Sequence, residues 1–86
     1  MATPILQTQR VAPRTASTVV RELFEILRAR RITILDFATA NNYGSTAISF
    51  WKSGRTEPRI TDLEVALSTL GLELKIVEKP NGKSLF

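Results

Sequence analysis

The chain contains no cysteine and no histidine. The first absence excludes disulfides, thiolate metal sites and cysteine nucleophiles. The second removes the side chain best suited to proton transfer at neutral pH, and the commonest nitrogen ligand for metals. No apolar run approaches the roughly 20 residues that a membrane-spanning helix needs. The opening stretch, MATPILQTQR, lacks the apolar core of a secretory signal. These absences lead us to expect a cytoplasmic protein with no cofactor, no metal and no membrane partner. They also argue against an enzyme. The carboxylates of Asp36, Asp62 and Glu64 are explained as helix caps, and no nucleophile–base pair or metal-ligand cluster is visible.

What is present is a small, moderately apolar, basic chain. Its 86 residues allow one modest core, and 43% hydrophobic residues suit a folded domain. Twelve Lys and Arg against eight Asp and Glu give a net charge of +4. That balance suits a polyanionic partner, although solubility alone accounts for much of it. Its distribution says more. Arg10 and Arg14 lie in an N-terminal stretch, Arg28, Arg30 and Arg31 close a helical segment, and Lys52, Arg55 and Arg59 cluster around residue 55.

Residues 33–54, TILDFATANNYGSTAISFWKSG, carry the most information. They predict two short helices joined by a tight turn. Thr33 can cap the first, with Asp36 three residues on as an approximate capping box. Phe37 and Ala38 face inward, Ala38 being small where a second helix crosses closely. Asn42 falls at the turn and tolerates positive φ, and Tyr43 plugs the core beneath it. In the second helix Gly44, Ala47, Ile48 and Trp51 share one face, while Ser45, Thr46, Ser49, Phe50 and Ser53 share the other. Gly54 terminates it. An apolar stripe backing a face of small polar residues is how a helix-turn-helix offers a reading helix to the major groove. An ordinary amphipathic helix pair in any small helical domain has the same pattern.

Around this pair, residues 1–16 hold two prolines and no apolar periodicity, and are expected to form a flexible arm. A helix from Ser17 or Thr18 to about Arg31 has Val20, Leu23, Phe24 and Leu27 on one face. After a loop containing Pro58, Thr61 is expected to cap another helix with Glu64 as its capping-box partner, and Gly71 to end it. Residues 17–71 thus form the domain. In the tail, 72–86, Leu72-Glu73-Leu74-Lys75-Ile76 alternates and predicts a strand with Leu72, Leu74 and Ile76 on one face. A lone strand needs a partner. The same strand of a second copy, related by a two-fold axis, supplies one. A hairpin with Lys83-Ser84-Leu85-Phe86 is the competing arrangement.

From about Val19 to Val77 the chain resembles the lambda-repressor-like, Xre/Cro-type helix-turn-helix domains of bacteria and phages. The resemblance rests on Ala38, on the pattern Ile48-Ser49-x-Trp51-x-x-Gly54-Arg55-x-x-Pro58, and on the run Leu63 to Leu74 containing Leu70-Gly71-Leu72. The ending LGLELKIVEK also looks like antitoxins of this family, some of which pair a C-terminal strand across the dimer. The resemblance implies an all-α domain of four to five helices with a short C-terminal strand. Four departures stand out: Ile34 replaces a phosphate-binding Gln, Asn42 replaces the usual turn Gly, Lys52 replaces an acidic residue that pairs with an Arg of the first helix, and Phe50 is unusual on the exposed face. Lys52 is left to meet Glu22, Glu25 or a phosphate. Phe50 suits either a thymine methyl group or a partner protein.

The function implied is a sequence-specific transcriptional regulator, most simply a repressor, binding a two-fold operator as a homodimer. Ser45, Thr46, Ser49 and Phe50 are the candidate base readers, and Lys52, Ser53, Arg55 and Arg59 the candidate phosphate contacts. Leu72, Leu74 and Ile76 are the candidate dimer contacts. The alternatives are an antitoxin that also binds a toxin, and an interaction module that has lost DNA binding. Double-stranded DNA, a second copy and a possible protein partner are therefore the expected partners, in a bacterial or phage cytoplasm near the nucleoid.

Overall fold

The computed structural model describes residues 12–86. They form a small all-helical protein of four helices: α1 (Thr18–Ala29), α2 (Ile34–Ala40), α3 (Ser45–Ser53) and α4 (Ile60–Ser68). Arg10 and most of the expected arm lie outside the described residues.

Helix starts follow local chemistry where a short polar side chain is available. Ser17 caps α1 by accepting from the Val20 amide, and Thr33 caps α2 by accepting from the Asp36 amide at 3.0 Å. The expected cap at Thr61 is not used. Helix α4 begins one residue before it, at Ile60, with Arg59 in the capping position and no side-chain cap bond. Asp62 sits in the first turn, where a carboxylate complements the helix dipole, and there it pairs with Arg59 Nε at 3.0 Å.

Helix ends share one device, a residue in the left-handed region. These residues are Arg31 (φ 59), Asn42 (φ 60), Gly54 (φ 84) and Gly71 (φ 76). At Arg31, Asn42 and Gly71 the paired bonds of a Schellman motif form. The next amide reaches back five residues (Ile32 to Leu27, Tyr43 to Ala38, Leu72 to Leu67), and the left-handed residue's own amide reaches back three. These bonds satisfy carbonyls that a helix end otherwise leaves without partners.

The core is one cluster: Val20, Leu23, Phe24 and Leu27 from α1, Phe37 and Ala38 from α2, Ile48 and Trp51 from α3, and Leu63, Ala66 and Leu67 from α4. Burying each of its large apolar side chains contributes about 1.5–3 kcal/mol. Helix α3 lies against both α2 and α1. Arg30 ties the far ends of α1 and α4 together through its donation to the Leu70 carbonyl at 2.8 Å.

Two further expectations differ from the structure. The first concerns the described end of the arm, which is fixed to the domain. The Arg14 and Thr15 amides both donate to the Lys52 carbonyl, at 2.9 and 3.1 Å, and Thr15 is 0% exposed. Thr15 Oγ1 accepts from the Ser17 amide, and its carbonyl accepts from the Arg21 guanidinium. A threonine that satisfies its polar groups this way can be buried. The second concerns the tail. The described residues contain no strand, because a ladder needs a second segment and none lies alongside. The alternation survives only in part: Leu72 and Leu74 pack on the core, whereas Ile76 is 102% exposed.

Candidate nucleic-acid interface

Helices α2 and α3 are joined by residues 41–44. The turn is fixed from both sides. Asn42 supplies the left-handed residue, and the Asn41 side chain donates to the Phe37 carbonyl and to Thr69 Oγ1. Tyr43 then meets Trp51 edge-on, with ring centroids 5.2 Å apart and planes at 69°. This is a favourable aromatic geometry. Trp51 is 5% exposed and Ile48 fully buried. The rotation of α3 about its own axis is therefore set by two anchors one turn apart and by the ring beneath the turn.

That rotation leaves Ser45, Thr46, Ser49 and Ser53 exposed and Phe50 half-buried. Thr46, Ser49, Phe50 and Ser53 follow helical spacing, so they form one stripe. The candidate readers thus lie together on the side of α3 away from the core.

The candidate phosphate contacts divide. Arg55 is exposed, and its guanidinium carbon lies 4.6 Å from the centroid of the Phe50 ring. Lys52 lies half-buried without an ion pair among the described residues. Glu25 instead pairs with Arg28 at 3.0 Å, and of the three partners expected for Lys52 neither Glu22 nor Glu25 is engaged by it. Arg59 is occupied by Asp62. The Ser53 hydroxyl works internally: it donates to the Phe50 carbonyl and accepts from the Arg55 amide. Ser53 thereby seats the backbone of Arg55. Ile34 packs partly buried against the core.

The structure adds a residue that the sequence placed elsewhere. Arg14 lines a cleft of about 250 Å³ together with Ser49, Lys52 and Ser53. Two cations, Arg14 and Lys52, therefore stand at the edge of the polar stripe. The sequence separates them by 38 positions, and only the strap of Arg14 and Thr15 onto the Lys52 carbonyl brings them together.

No helix among the described residues is long and apolar enough to cross a membrane. Comparison with protein-family models, curated proteins and solved structures found no match.

Proposed function

We propose that this protein is a sequence-specific DNA-binding transcriptional regulator of the lambda-repressor-like helix-turn-helix type, acting as a repressor. It binds a two-fold operator as a homodimer. The observation that carries this reading is the exposed stripe Thr46, Ser49, Phe50 and Ser53 on a helix whose opposite face is locked by Ile48 and Trp51. A rigidly oriented helix with small polar side chains outward can enter a major groove about 12 Å wide. Lys52 and Arg14 at its edge supply cations next to the backbone, and Arg55 adds a third cation at the end of the helix.

The second copy docks on the α4 and tail side. A groove of about 660 Å³ there has Val19, Ile60, Leu63, Leu74 and Ile76 in its walls. Ile60 is 72% exposed. Glu57, Glu64 and Lys75 also line the groove, and none of them is in an ion pair among the described residues. An apolar patch edged by both signs of charge is self-complementary about a two-fold axis: Lys75 of each copy faces Glu57 or Glu64 of the other. In this arrangement Leu72 and Leu74 support the interface from their own domain, and Ile76 crosses it. The bare Leu85 and Phe86 favour a second reading, in which a different protein, such as a toxin, takes the tail.

Replacing Thr46 and Ser49 together by alanine tests the reading face. Both side chains are exposed, so the circular dichroism spectrum and melting temperature should stay unchanged while specific affinity falls. Unchanged specific affinity would contradict the assignment.

A further inference from the structure

Resting on the DNA-reading assignment, we infer that Phe50 and Arg55 form one reading unit that selects a guanine next to a thymine. The guanidinium of Arg55 sits over the Phe50 ring, 4.6 Å from its centroid. Phe50 belongs to the outward stripe of α3, so the cation is stationed over the reading face rather than at its flank. Its backbone is held there as well. The Arg55 amide donates to Ser53 Oγ, and the Gly54 and Thr56 amides converge on the Phe50 carbonyl.

Among the described residues no hydrogen bond or ion pair engages the Arg55 side chain. Its five N–H donors are available in a planar fork, whose central carbon lies over the ring. A fork packed against a ring has already lost part of its rotamer freedom, so less is lost when it meets its target. Guanine presents O6 and N7 as paired acceptors in the major groove, and a guanidinium bonds both at once. Phe50 has no hydrogen-bonding group on its ring, and the apolar feature of the groove is the thymine methyl. Ser45, Thr46 and Ser49 donate or accept equally and discriminate weakly. The Phe50–Arg55 unit therefore carries the sharpest selectivity on the helix, through two adjacent bases.

The test starts by selecting duplexes from a random library with the full chain. The selected site is then altered atom by atom. Deoxyuridine for thymine removes only the methyl group, and 7-deazaguanine removes only the N7 acceptor. Adjacent T and G should be enriched, and each alteration should weaken binding at least about fivefold, the scale of a base contact. Phe50→Ala should abolish the response to deoxyuridine. Arg55→Lys, which keeps the charge and loses the fork, should abolish the response to 7-deazaguanine. Enrichment of a site that responds to neither alteration would overturn the inference while leaving DNA reading intact. Arg55 would then be a phosphate contact, and its replacement would weaken all sequences equally. Failure to enrich any sequence would overturn the DNA-reading assignment itself, and the inference with it.

Discussion

At the residue scale, the structure uses some side chains as their chemistry suggests and others against it. Thr33 was legible as a cap because its short side-chain oxygen reaches the amide three residues on, and the first helix was legible as starting at Ser17 or Thr18, of which Ser17 is the cap. Asn42 was legible as the turn residue because Asn tolerates positive φ. Arg31 was not. Nothing in an arginine side chain marks it for the left-handed region, and only the Schellman bonds around it show the conformation. A non-glycine residue there costs about 1–2 kcal/mol. Arg31→Gly should therefore raise stability by about 0.5–1 kcal/mol, after the greater unfolded-state freedom of glycine is deducted. A thermal midpoint a few degrees higher would bear this out. Asn42→Gly should gain less, and a gain there larger than at Arg31 would count against the argument. Thr15 was equally hidden. A threonine beside a proline-containing stretch reads as exposed, and its burial depends on the Lys52 carbonyl, 37 positions away.

At the element scale, helix α3 was the most legible part, since Ile48, Trp51 and Gly54 have helical spacing and each occupies its expected place. Its fastening was not legible. The strap at residues 14–15 passes so close to Gly54 that a Cβ there would lie 3.1 Å from the Thr15 Cα. Gly71, by contrast, has a similar φ of 76 and open space around it. Gly71→Ala should therefore show the backbone penalty alone, about 1–2 kcal/mol. Gly54→Ala should lose more, because the strap must also move. Urea denaturation of the two variants makes the comparison, and equal losses would show that the strap contributes nothing. The start of α4 was misread: Thr61 has the better capping side chain, but the cap is Arg59, two residues earlier, and Arg59 pairs with Asp62 in the first turn.

At the scale of the whole molecule, the proposed homodimer rests on the tail. The alternation of Leu72, Leu74 and Ile76 was legible, but a sequence pattern cannot say which of these residues its own domain will cover. Leu72 and Leu74 are taken by the core, leaving Ile76 bare in the groove that Ile60 also lines. Ile76→Asp should therefore yield a folded monomer by light scattering, because the side chain is exposed in the single chain and would meet apolar walls only in the proposed pair. A dimer that survives this change would place the interface elsewhere. The central claim, that the stripe on α3 reads DNA, is tested most directly by measuring binding of the purified protein to its own upstream DNA and to a scrambled duplex at two salt concentrations. The account predicts selective binding to the upstream duplex that weakens steeply with salt, as displaced counterions require. Binding that is equally weak on both duplexes would contradict it.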